Sequence, residues 1–162
     1  MTLLELVLAM TVMSVMVTAV TVVMRTGYSA WKAQSDDMAV TTEVNAMLRH
    51  VVRRVRQAEA VTAISKPSNI EGNLSLQMPT GNTFVWEHEK QSGETRFGVG
   101  TADSLLCRGV SKLIITGYEA DGVTTTDVPG DVQSVKVEAH YDLPRQTHGA
   151  RVLSCRAWLR SW

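Results

Sequence analysis

The sequence predicts an α+β fold: one long N-terminal helix, apolar in its first half and amphipathic in its second, packed on an antiparallel β-sheet. Three observations predict it. Residues 6–24 contain no charge, no Gly and no Pro. Val44, Met47, Leu48, Val51, Val52 and Val55 then recur at helical spacing. Beyond Pro67 the pattern changes to short alternating runs broken by Gly, Pro and Asp turns. The expected organisation is an apolar helix over residues 1–26, its amphipathic continuation over 27–64, and a β-sheet domain over 65–162.

The apolar run comes first. At ~1.5 Å rise per residue it is about 28 Å long as a helix, close to the thickness of a bilayer's hydrocarbon core. Nothing basic precedes it in the chain and Arg25 follows it directly. That pattern fits a spanning or filament-core helix better than a signal peptide, which has a basic start and a shorter apolar stretch. Thr11, Ser14, Thr18 and Thr21 step along this run at three, four and three. Such hydroxyls can bond back to their own helix, or they can line a close helix–helix seam. Val and Thr crowd residues 11–23, which makes that stretch a poorer helix former than the Leu-rich start.

Glu5 heads the run, and a carboxylate in or near lipid costs at least ~2.5 kcal/mol. Thr2-Leu3-Leu4-Glu5 has the spacing of a capping box, in which Thr2 caps the helix and Glu5 reaches back. A carboxylate there also suits the positive helix end. The cap accounts for the pair. It does not account for a full-length apolar helix beginning immediately afterwards.

Past the span, Met24, Tyr28, Trp31, Ser35 and Met38 continue the helical steps. Around the stripe that starts at Val44 lie Arg49, Arg53, Arg54 and Arg56, with Glu43 and Glu59. These read either as a solvated face or as a binding patch. No Pro appears before Pro67, so the helix is expected over roughly residues 2–63. Its stripe needs a sheet to cover it.

The strands are expected at 74–78 and 83–87, joined by the turn Pro79-Thr80-Gly81-Asn82, then at 94–99, 104–107 and 112–119. Asp121-Gly122 is the next turn. In 132–141, Val135, Val137, Ala139 and Tyr141 alternate with Lys136, Glu138 and His140. In 150–160, Leu153, Cys155, Ala157 and Leu159 alternate with Ser154, Arg156 and Arg160. The linker 142–149 makes these two an antiparallel hairpin.

Composition excludes several functions. Lys+Arg and Asp+Glu balance at 16 each, so no net field invites nucleic acid. Two Cys are too few for a disulfide scaffold but enough for one bridge outside the cytoplasm. Cys107 and Cys155 are the candidate pair if their strands are neighbours, and otherwise two buried thiols. Strand alternation puts His88 on the face opposite Glu87 and Glu89, and no second His stands at ligand spacing, so a metal site is not expected there. Glu119, Asp121, Asp127 and Asp131 are a weak Ca²⁺ candidate against an ordinary turn reading. His50, His140 and His148 are isolated. With no phosphate loop and no nucleophile elbow, an enzyme, a cofactor and a small-molecule substrate are not expected.

Met1-Thr2-Leu3-Leu4-Glu5-Leu6, followed by an apolar helix, resembles the mature N-terminus of the type IV pilin family, which includes pilins, type II secretion pseudopilins and DNA-uptake pilins. The resemblance implies that a prepilin peptidase removes a short leader and N-methylates Met1 as the mature first residue, where the family usually has Phe. It also implies that Glu5, with Met1 and Thr2, forms the assembly site by pairing with a neighbouring subunit's amino terminus. The order Leu105-Leu106-Cys107-Arg108-Gly109-Val110-Ser111-Lys112-Leu113, an Asp-Gly turn, Pro129 and a strand pair is loosely similar to the J-type minor pseudopilins.

Three functions follow as expectations. The first is a structural subunit that polymerises through its N-terminal helix into a type IV pilus-like or pseudopilus filament. The second is a minor tip or priming pseudopilin of a type II secretion system that binds neighbouring pilins or cargo. The third is a single-pass membrane-anchored ligand-binding domain. The first two imply homo-oligomers or other pilins as partners. They also imply a cytoplasmic-membrane stage with the C-terminal domain outside the cytoplasm, then an extracellular or periplasmic filament.

Overall fold

A computed structural model describes residues 2–143 and 150–160. Helix α1 runs from Leu3 to Val55, 53 residues without a break. Nine strands follow: β1 (Ala60–Ile64), β2 (Asn73–Gln77), β3 (Thr83–Glu89), β4 (Glu94–Val99), β5 (Ser104–Cys107), β6 (Val110–Tyr118), β7 (Thr125–Thr126), β8 (Ser134–Tyr141) and β9 (Arg151–Trp158). The fold is α+β, as the sequence predicts. It is a pilin-like architecture, a long apolar N-terminal helix whose later part packs on antiparallel sheets.

The chain divides at Met38 into two compact units. In the first unit α1 stands alone, and no residue from Thr2 to Met38 is buried. The helix passes through the β-branched stretch and through Gly27 unbroken. In the second unit the α1 stripe of Val44, Met47, Leu48, Val51 and Val55 is buried in a core shared with Leu74, Leu76, Trp86, Leu113, Ile115, Val137 and Tyr141. Those side chains come from both sheets. Fully burying a side chain of this size is worth roughly 1.5–3 kcal/mol.

Helix α1 ends at Val55, earlier than residue 63. The N–H groups of Gln57 and Ala58 bond three residues back, to Arg54 and Val55, tightening the last turn. Val61, Thr62 and Ile64 then suit a pleated surface, and β1 pairs with β2 from Ala60↔Gln77 to Ile64↔Leu74. Pairing with β2 outweighs the helix propensity of the Gln, Ala and Glu that precede it.

The strands form two sheets where one was expected: β1-β2-β3-β4-β5, and β7-β6-β8-β9. Gly109 accounts for the division. Its φ of 77° turns the chain between β5 and β6, so the two consecutive strands enter different sheets. The connection between β1 and β2 meets β6 where the Leu113 N–H bonds the Ile70 carbonyl. There a Cβ on Gly72 would stand 2.7 Å from the Leu113 carbonyl oxygen, an approach only Gly permits.

The strand faces follow the sequence pattern. Val135, Val137, Ala139 and Tyr141 are buried on β8, and β8 pairs with β9 antiparallel from Ser134↔Trp158 to Tyr141↔Arg151. The turn at 79–82 closes with Met78 N–H on the Asn82 carbonyl and a φ of 82° at Gly81. Strand β7 is too short for periodicity to have marked it.

Candidate functional site

Helix α1 carries the candidate site, and its first turn is built as a capping box. The Thr2 N–H donates to Glu5 Oε2 at 2.8 Å, and the Glu5 N–H donates to Thr2 Oγ1 at 3.4 Å. Two donors that a helix start leaves unmet are thereby satisfied reciprocally. The carboxylate keeps its other oxygen free of any hydrogen bond among the described residues. Met1 lies outside the described residues.

Along the helix, the hydroxyl stripe bonds back to its own backbone. Thr11 donates to the Leu8 carbonyl, Thr18 to Ser14 and Thr21 to Val17, at 2.7–2.8 Å. Back-bonding lets the hydroxyls of Thr11, Thr18 and Thr21 sit in an apolar environment without an outside partner. Leu3, Leu4, Leu8, Met10, Met13, Val15 and Met16 are all more than 60 % exposed. This is far more contiguous apolar surface than a soluble monomer tolerates. The helix is long and apolar enough to cross a membrane, which suggests membrane anchoring.

Sequence reasoning took Tyr28 and Trp31 only as helical steps. The structure pairs them at 6.1 Å between ring centroids, both exposed, just past the apolar run and between Arg25 and Lys32. Aromatic and basic side chains at that point suit the interface between hydrocarbon and water. The signal was present in the sequence as amphipathic aromatics at the end of an apolar run.

The other candidates are accounted for locally. Cys107 ends β5 at the edge of one sheet, and Cys155 lies on β9 at the edge of the other. Both are free thiols. The strands are not neighbours, so the condition for the candidate disulfide is not met. Burial pushes the Cys107 thiol up to about 12 and raises Cys155 as well. Asp121 accepts from the N–H groups of Val123 and Thr124 and from the Thr124 hydroxyl. Those bonds, the hydroxyl first, hold its carboxyl below the usual carboxylate range. Among the described residues no three His, Cys, Asp or Glu side chains gather to hold a metal ion, Glu119, Asp121, Asp127 and Asp131 included.

His88 is buried, with Glu87 and Glu89 on the exposed face of the same strand. Its Nδ1 stands 3.2 Å from the Glu94 carbonyl and 3.3 Å from Thr95 Oγ1. His50 Nδ1 accepts from the Trp86 indole N–H at 3.4 Å, and its ring meets Phe97 edge-on. His140 lies half-buried on β8, and His148 lies outside the described residues. His50, His88 and His140 are parts of the second unit's packing.

Comparison with protein-family models, with curated proteins and with solved structures finds no match to the chain. The class therefore rests on architecture and site alone: a pilin-like chain with an exposed apolar helix headed by a capped carboxylate.

Proposed function

We propose that the protein is a structural subunit that polymerises through its N-terminal helix into a type IV pilus-like or pseudopilus filament. One observation carries this reading: an unbroken apolar helix, exposed over its whole first half, begins at a single carboxylate. Before assembly the helix lies in the cytoplasmic membrane, with the second unit outside the cytoplasm. In the filament the same apolar surface is covered by the helices of neighbouring subunits. Glu5 then pairs with the N-methylated amino terminus of the next subunit's Met1, which offsets the cost of a charge in an apolar core. The hydroxyl stripe supplies the close seam between helices. No catalytic step and no cofactor enters this role.

A minor tip or priming pseudopilin is the narrower version of the same reading, in which few copies bind neighbouring pilins or cargo. The capping box favours a different one, a single-pass anchor for an external binding domain, because Thr2 already gives Glu5 a partner within its own chain.

Glu5→Gln separates these readings. Gln retains the capping geometry but has no charge to pair with an amino terminus. Filament incorporation of the Gln variant should collapse, as should that of Glu5→Ala, while the second unit stays folded. Electron micrographs of shed filaments and the mass of the N-terminal peptide, one methyl group heavier than unmodified, provide the readout. Normal filament yield from Glu5→Gln would leave the capping box as the whole role of Glu5.

A further inference from the structure

Three arginines line one side of a groove in the second unit. Arg49 and Arg53 on α1, and Arg56 just past its end, follow one another at steps of four and three, all exposed. None of them forms an ion pair among the described residues. Leu48, Val52 and Leu153 give the groove apolar surface, and its far side is β9 at Ser154 and Cys155. Its volume is about 640 Å³, and among the described residues no acidic side chain lines it.

Strand β9 is an edge of its sheet, and at eight residues it is longer than the other edge strands. The Leu159 N–H bonds the Gln133 carbonyl at 2.9 Å. With the register Val135↔Ala157, Val137↔Cys155 and Ala139↔Leu153, antiparallel alternation turns the backbone of residues 153, 155 and 157 toward β8. The N–H and C=O groups of Val152, Ser154 and Arg156 therefore point outward. Exposed edges are normally blunted by Pro, by a bulge or by an inward charge. Strand β9 has no Pro, no register shift against β8, and Leu153, Cys155 and Ala157 on its inward face.

We propose that α1 and β9 form a docking groove for an extended acidic segment of a partner protein, which adds to the four-stranded sheet as a strand beside β9. Backbone hydrogen bonds to Val152, Ser154 and Arg156 supply the pairing. Apolar side chains of the segment meet Leu48, Val52 and Leu153, and its carboxylates meet the arginine row. A second copy of this chain is a poorer occupant, since two-fold pairing of β9 with β9 would bring two arginine rows together. An anionic lipid would satisfy the arginines but not the alternating donors and acceptors of the strand edge. This proposal stands independently of filament assembly.

The test uses the full chain in non-ionic detergent and an end-blocked octapeptide alternating Val and Glu as the probe. Binding followed by calorimetry should be accompanied by slowed hydrogen exchange at the amides of Ser154 and Arg156. The Arg49→Gln, Arg53→Gln double variant, altered only at exposed positions, should bind about tenfold more weakly. The same peptide N-methylated along one edge keeps its charge but cannot donate to β9, and it should not bind. Equal binding of the N-methylated peptide would reduce the groove to a non-specific ionic surface and overturn strand addition. Equal binding of a Val-Lys octapeptide would overturn the charge argument. Displacement of the peptide by anionic vesicles, or slowed exchange at Ser154 in the protein alone at high concentration, would assign the groove to lipid or to self-association instead.

Discussion

Thr2 and Glu5 show how much a single spacing can carry. The reciprocal bonds between them are those that the order Thr-x-x-Glu implies, so the cap was legible before any fold was known. The cysteines were less legible. Alternation correctly put Cys155 inward, but whether two strands are neighbours is a long-range property that one strand's pattern does not contain. Their chemistry follows from where they ended up. Cys107 is fully buried, with its thiol donating to the Arg108 carbonyl at 3.4 Å, while Cys155 is only half-buried. A neutral alkylating reagent should therefore modify Cys155 slowly in the native protein and Cys107 only after unfolding. Peptide mapping without reductant should recover both as thiols. A linked Cys107–Cys155 peptide would contradict the strand placement.

At the scale of elements, the strands were easier to read than the helix end. Alternation over β8 and β9 marks which side chains face the core, and Gly81 and Gly122 mark turns. The end of α1 was not marked, because Gln57, Ala58 and Glu59 suit a helix and only pairing with β2 draws residues 60–64 into a strand. The arginine row was visible as spacing, but the groove beside it depends on β9, some hundred residues away. The packing of α1 on the five-stranded sheet also sets a pH response. His50 sits between Trp86 and Phe97 with Nδ1 accepting the indole proton, which requires that nitrogen to be unprotonated. Burial lowers its pKa from the ordinary 6.5, helped by the Arg54 and Arg53 charges. His88 is lowered as well, again chiefly by burial. As pH falls, the unfolded chain takes up these protons first. The stability they contribute is complete above the ordinary histidine value and is lost as pH drops through it toward the folded values. Urea midpoints should fall between about pH 7 and pH 5, and His50→Gln should flatten that slope. An unchanged slope in the variant would remove His50 from the response.

For the whole molecule, the decisive contrast is where the buried surface lies. Among the described residues every core residue belongs to the unit that begins at Ala39, and none before it is buried. By this accounting the first unit contributes length and apolar surface but no core. The sequence conveyed that contrast through its two kinds of helix pattern, one apolar all round and one a stripe. The partition of the strands into two sheets lay beyond it, because Gly109 can be seen as a turn but not as a crossing between sheets. A fragment covering residues 35–162 should therefore fold alone. Ser35, Asp36 and Asp37 would stand at its new helix start as ready caps, and the helix behind them stays docked through Val44, Met47, Leu48, Val51 and Val55. Removing an unburied segment should change stability by no more than about 1 kcal/mol, a shift in Tm of roughly 4 °C for a domain of this size. The fragment should be soluble without detergent and unable to enter filaments. A fragment that is unfolded, or far less stable than the parent chain, would show that residues before Ser35 support the fold through contacts their exposure does not reveal.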